Sequence, residues 1–152
     1  MTIEIIPYRT EHHAIFKELN LEWLDYYNLT ESHDLMVLND PQGVILDPGG
    51  YLWMAEADGK IVGSAGLMKE GEGEYELVKM AVTKDYRGKG ISRMLIDQCL
   101  GKVKEIGAKK LSLYSNHQLE TAISLYKKYG FYHVELVNSP LETADVRMEL
   151  ML

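Results

Sequence analysis

"VTKDYRGKGISRML", residues 82–95, sets two glycines around one lysine, with an arginine just ahead of them and an apolar run behind. Glycine lets the backbone take positive φ and approach a ligand closely. The first N–H groups of a helix lack intrahelical acceptors, so a turn of this kind is suited to an anion. Arg87 and Lys89 would add positive charge. Two phosphate-binding patterns fail on spacing. A P-loop needs G-x-x-x-x-G-K-[ST], but Lys89 stands between the glycines and Ile91 follows Gly90. The dinucleotide pattern G-x-G-x-x-G would need its third glycine where Arg93 stands. Taken alone, the turn is equally readable as a tight strand-to-helix connection without a ligand.

The flanking sequence supplies the elements. "YLWMAEA", "IVGSAGLM" and "YELVKMAV" read as three strands, with "DGK" and "KEGEGE" as their turns. Beyond Gly90 the apolar period becomes helical: Ile91, Met94, Leu95, Cys99, Val103 and Ile106, with Gly107 as the stop. "KKLSLYS" reads as a strand. Leu119, Ala122, Ile123, Tyr126 and Tyr129 mark a helix closed by Gly130, and "FYHVELV" and "ADVRMELML" read as final strands. Upstream, "TIEIIPY" is β-prone, and residues 11–27 carry a helical stripe. "SHDLMVLND" reads as a short helix with Ser32 as N-cap. "DPQGVILDPGG" holds two turn signals. The expectation is an α/β (α+β) fold, a mixed sheet with helices on its faces, in one domain over residues 1–152.

Composition narrows the function. The chain has 152 residues, 46% of them apolar, and a net charge of −7. An acidic chain argues against nucleic acid as a partner, because phosphate backbones require a basic face. The single cysteine, Cys99, excludes an intrachain disulfide and sits in an apolar stripe. No run approaches the ~20 apolar residues of a membrane span, and "MTIEIIPYRT" lacks the pattern of a signal peptide. The expected location is cytoplasmic, with no membrane partner. His12, His13, His33, His117 and His133 lack metal-ligand spacing, so no metal is expected. Glu22, Asp25, Glu31, His33 and Asp34 gather around the first two helices and would suit the wall of a cation pocket.

Two stretches carry a resemblance. "MAVTKDYRGKGISRMLI" resembles the acyl-coenzyme A binding motif of the GNAT superfamily of N-acetyltransferases, in which Arg/Gln-x-x-Gly-x-Gly/Ala follows a strand and begins a helix. Arg87 and Gly90 match; Ser92 stands where glycine or alanine is usual, and Lys84 replaces a frequent proline. "LETAISLYKKYGF" resembles a later motif of the same family, matching at Ala122, Leu125, Tyr126, Gly130 and Phe131. Leu119 occupies a position where asparagine is frequent, and Asn116, one turn earlier, is the candidate for the missing polar contact.

The resemblance implies a mostly antiparallel sheet whose central strands splay apart, with acetyl-CoA as cosubstrate. The pantetheine arm would lie along Met80, Ala81 and Val82, with N–H groups from Met80 and Val82. The pyrophosphate would lie at Arg87, Gly88, Lys89, Gly90, Ile91 and Ser92. Tyr126 would sit near the sulfur and protonate the departing thiolate. The Met80 N–H is the candidate donor to the thioester oxygen. Glu76 is the candidate base: it is acidic in a largely apolar strand, and period two places it on one side with Val78, Met80 and Val82. No Gly-x-Ser-x-Gly nucleophile motif occurs, which suits direct attack by the acceptor. The expected activity is acetyl transfer to a primary amine on a small molecule or peptide, by a monomer or a homodimer. The alternative is a non-catalytic domain of the same fold that senses acyl-CoA or serves as an interaction module.

Overall fold

The computed structural model describes residues 1–152. β1 (Ile3–Pro7) leads through a 3-10 turn (Thr10–His12) into α1 (His13–Tyr26) and α2 (Ser32–Asn39). A π-type turn (Gln42–Leu46) then delivers the chain to β2 (Tyr51–Ala57), β3 (Lys60–Gly71) and β4 (Glu74–Val82). After a 3-10 turn (Lys84–Tyr86) come α3 (Ile91–Glu105), β5 (Lys110–Ser115), α4 (Glu120–Lys128), β6 (Tyr132–Val134) and β7 (Val146–Met151). The seven strands form one sheet in the order β1-β2-β3-β4-β5-β7-β6. Every neighbouring pair is antiparallel except β4 and β5.

Side-chain alternation gives the sheet two apolar faces. Leu67, Leu77, Val82, Leu111 and Met148 pack with Leu95, Ile96, Cys99 and Val103 of α3. On the opposite face, Leu52 and Met54 pack with Phe16 and Leu19 of α1 and with Val37 and Leu38 of α2. No helix is long and apolar enough to cross a membrane.

Two features of β4 create the site. Its pairing with β5 covers only Glu74–Glu76 against Lys110–Ser112, although β4 runs on to Val82 and β5 to Ser115. The strands therefore part beyond Glu76, as the splay expected from the resemblance requires. On its other edge β4 bulges. Ser64 faces Ala81 and Gly66 faces Val78, so three steps along β4 oppose two along β3. Lys79 absorbs the extra residue at φ +51, a conformation that non-glycine residues rarely adopt.

The bulge corrects one expectation. Glu76, Val78, Met80 and Val82 do not share a side. Val78 packs toward α1 and α2, whereas Met80 and Val82 join the α3 face. An inserted residue shifts the alternation by one, and strand periodicity cannot anticipate that. Smaller differences occur at element ends. The N-cap of α2 is Glu31, not Ser32, because the Asp34 carboxylate reaches back to the Glu31 N–H at 2.9 Å. The strand expected over "FYHVELV" is paired only at Tyr132–Val134.

Candidate active site

Beyond Glu76 the gap between β4 and β5 opens into a cavity of about 820 Å³, within the size range of ligand sites. One wall is β4 from Lys79 to Val82, together with Leu77; the facing wall is α4, with Leu119, Ala122, Leu125 and Tyr126. Trp23 of α1 and Tyr27 at its C-cap contribute a third side. The floor at one end is the glycine turn and the start of α3: Arg87, Gly88, Gly90, Ile91, Ser92 and Arg93. The two stretches singled out in the sequence thus meet across one space, although Leu119, the N-cap of α4, lies 29 positions beyond Gly90, the N-cap of α3.

At the turn, Gly88 and Gly90 have φ of +76 and +81, and Gly90 is the N-cap of α3. A side chain at either position would meet no neighbouring atom within 4 Å. It is therefore backbone conformation, and not lack of space within the protein, that demands glycine here. Arg87 lines the cavity and folds back across the turn. Its Nε donates to the Val82 carbonyl at 3.0 Å, and its guanidinium reaches Glu22 at 3.4 Å. Glu22 also accepts from the Thr83 hydroxyl at 2.8 Å and the Lys84 N–H at 3.1 Å, tying α1 to the turn. Lys89 projects from the turn and does not line the cavity.

Along β4, the Thr83 N–H bonds to the Val62 carbonyl of the preceding hairpin strand at 2.9 Å. Successive strand N–H groups point to opposite edges, so Val82 directs its N–H into the gap. At the bulge, the Ser64 hydroxyl donates to the Lys79 carbonyl at 2.7 Å, on the β3 side. The Lys79–Met80 peptide is trans and planar, so its N–H points the other way, also into the gap. Met80 and Val82 therefore present N–H groups along the edge that β5 has left.

Tyr126 lies on the cavity wall but is also core. It is 8% exposed, and its ring stands 5.7 Å from that of Phe131. Burial pushes its phenol up, which keeps the hydroxyl protonated at neutral pH. Nearby Cys99 is fully buried, with its thiol pushed up to about 12 by the same cause, so it stays an unreactive core residue.

Glu76 stands apart from the cavity lining, on the α1/α2 side of the sheet with Val78. Burial, and then the neighbouring Glu70 carboxyl, raise its pKa far above the usual carboxylate range, while Arg147 and Lys79 oppose the shift. The shift favours the protonated form of Glu76 at neutral pH.

Asn116 does not line the cavity either. Its amide donates to the Thr143 carbonyl at 2.7 Å and accepts from the Gln118 N–H at 3.0 Å, which ties the β6–β7 connection to the start of α4. The acidic residues around the first helices are similarly engaged. Glu31 accepts from the N–H groups of Glu142 and Thr143 at 2.8 and 3.0 Å. Asp25 accepts from Thr30, and Asp34 is paired with Lys79 at 2.6 Å. These carboxylates hold the frame, and none lines the cavity.

Sequence reasoning missed Lys79, Trp23 and Tyr27. Lys79 was visible as a charge inside an apolar strand, as Asn20 and Ser64 were visible as polar residues in apolar stretches. Trp23 and Tyr27 were assigned to the helical stripe of α1 and carried no further signal.

The chain matches the family model described as the acetyltransferase (GNAT) family over residues 12–131. It is similar to the N-acetyltransferase YjgM of Escherichia coli K12, with 32% identity over 101 residues. That stretch is 64% of this chain and 60% of the relative, so the chain spans only about three-fifths of that relative's length. A GNAT-family acetyltransferase from Staphylococcus aureus Mu50 superposes with a TM-score of 0.91 at 24% identity, over 99% of both chains. The PaiA N-acetyltransferase of Thermoplasma acidophilum, solved in complex with coenzyme A, superposes with a TM-score of 0.77 at 20% identity, over the whole of both chains. With its splayed strands, its glycine turn and a family match over most of its length, the chain belongs to the GNAT acetyltransferase family.

Proposed function

We propose that residues 1–152 form one acetyltransferase domain that moves the acetyl group of acetyl-CoA directly to a primary amine, in the cytoplasm. The observation that carries this reading is one cavity that joins an anion-ready helix start to the unpaired edge of β4 and to Tyr126 of α4. The donor set fits the cosubstrate: backbone N–H groups and Arg87 suit a pyrophosphate, and a strand edge without a partner suits an amide-bearing arm.

The residues divide the work. The Met80 N–H faces the place where the thioester oxygen gains negative charge. The acceptor nitrogen forms the new C–N bond as the C–S bond breaks, and the Tyr126 hydroxyl delivers a proton to the sulfur. Trp23 and Tyr27 line the side from which an amine would arrive. Glu76 is the proposed base, acting through water because it does not line the cavity. It accepts a proton only when its own has left, so its contribution grows as pH rises toward its raised pKa.

The test is release of free thiol from acetyl-CoA against a panel of primary amines, for wild type and Tyr126→Phe. The variant should lose about 10²-fold in kcat, the low end for a lost proton donor, with KM for acetyl-CoA little changed. Turnover equal to wild type would return Tyr126 to a packing role. Coenzyme A binding without turnover of any amine would favour the non-catalytic reading.

A further inference from the structure

A directed chain of hydrogen bonds runs from the cavity wall through the core to the bulge of β4. The Trp23 indole N–H donates to Asn20 Oδ1 at 3.2 Å. Asn20 Nδ2 donates to the Phe16 carbonyl at 3.0 Å and to Ser64 Oγ at 3.1 Å. Ser64 Oγ donates to the Lys79 carbonyl at 2.7 Å. The direction is forced at each link. An indole N–H only donates and a carbonyl only accepts, so both ends of the Asn20 amide are assigned. Ser64 has one proton, and the Lys79 carbonyl takes it.

Asn20 and Ser64 are both fully buried, with exposure of 0%. Their partners lie on α1, β3 and β4, so the chain spans three elements. It ends on the one peptide whose orientation the bulge leaves unusual, with Lys79 at φ +51. The Lys79 side chain is anchored separately, on Asp34 of α2 at 2.6 Å. The bulge residue is thus held at its carbonyl by Ser64 of β3, which Asn20 of α1 backs, and at its ammonium by Asp34 of α2.

We propose that Ser64 and Asn20 are positioning residues for acyl transfer. By holding the Lys79 carbonyl against β3, they aim the Met80 N–H across the gap at the thioester oxygen. Each donor in a chain that also accepts is polarised, so the Lys79–Met80 peptide should also be a stronger donor than an isolated one. A buried serine that merely satisfies a carbonyl would affect stability alone. A positioning serine affects the polarity of the bound thioester. This inference rests on the acetyl-transfer reading above.

The experiment uses acetyl-CoA labelled with carbon-13 at the thioester carbonyl, bound without acceptor and observed by infrared difference spectroscopy. In wild type the carbonyl stretch should shift below its value in solution. Ser64→Ala should move it back toward the solution value and lower kcat about ten- to a hundredfold, less than outright loss of an oxyanion donor. Coenzyme A affinity, measured by calorimetry, should stay within about twofold of wild type, because the carbonyl-directed contact is absent from that ligand. Ser64→Thr, which keeps the hydroxyl, should keep the shifted stretch. An unshifted stretch in wild type would overturn the proposal whether or not Ser64→Ala folds. So would a wild-type stretch and turnover in Ser64→Ala. In both cases intact coenzyme A binding would leave the acetyl-transfer reading standing, whereas a wild-type protein that binds no coenzyme A would overturn both.

Discussion

The two ends of the cleft are built on different principles. The glycine-turn end is open and made almost wholly of backbone, with Gly88 and Gly90 at positive φ and no neighbour pressing on either. The bulge end also depends on a residue at positive φ, but that residue is Lys79, and side chains from α2 and β3 restrain it. One end obtains its conformation from a residue type that tolerates it. The other obtains it by holding an ill-suited residue in place, with Asp34 on the ammonium and Ser64 on the carbonyl. The difference predicts where the protein is fragile: loss of a restraint at the bulge should cost more than a wrong residue at the turn.

Asp34→Ala gives the largest expected effect. The carboxylate and its lysine partner are 2% and 9% exposed, and removal of one partner leaves a buried charge unpaired. It also removes the acceptor for the Glu31 N–H at the α2 cap. The expected loss of unfolding free energy is about 3–5 kcal/mol, read from urea denaturation. A loss under about 1 kcal/mol would mean that the pair is dispensable and that the bulge is held by the strands alone.

Gly90→Val sharpens the other side of the comparison. Space is available, so the cost is the φ of +81 alone, about 1–2 kcal/mol. The fold should survive, while thermal stabilisation by coenzyme A should be lost, because the first N–H groups of α3 would turn away. Full stabilisation of the variant by coenzyme A would place the anion elsewhere.

Glu76→Gln is the one change of the three expected not to destabilise the fold, and its effect has a definite sign with pH. The folded protein holds the Glu76 proton more tightly than the unfolded chain, whose carboxyl titrates near the ordinary value of about 4.3. Stability from the protonated group is complete below that value and is lost as pH rises toward the raised pKa. Glutamine removes this loss. Its melting temperature should match wild type near pH 4 and exceed it increasingly through neutral pH. A difference that does not vary with pH would show that burial does not set the titration of Glu76.

The same contrast explains what was legible in the sequence. The glycine turn could be read because positive φ leaves a trace in residue type: Gly88 and Gly90 stand where a helix begins. Tyr126 could be singled out from its family motif, and it lines the cavity together with β4. The bulge could not be read. Lys79 stands out as a charge in an apolar strand, but nothing in its residue type marks a positive φ, and period two placed Met80 and Val82 on the wrong face with Glu76. Asn116 offered the right amide at the right distance along the chain, but that amide is engaged with Thr143 and Gln118. The acidic residues of the first two helices suggested a cation pocket, yet Glu22, Glu31 and Asp34 bind turns, loops and Lys79. Their partners lie 45 to 112 residues away along the chain, so no local pattern could pair them.

The central claim is that acyl-CoA lies along the β4 edge, from the start of α3 to the bulge. The most direct measurement is a titration of nitrogen-15-labelled protein with coenzyme A, followed by amide NMR. Saturable shifts are expected at Met80, Val82 and the residues from Gly88 to Ser92, with little change at the amides of β1 and β2. Saturable shifts confined to other parts of the chain, or none at millimolar coenzyme A, would contradict the account.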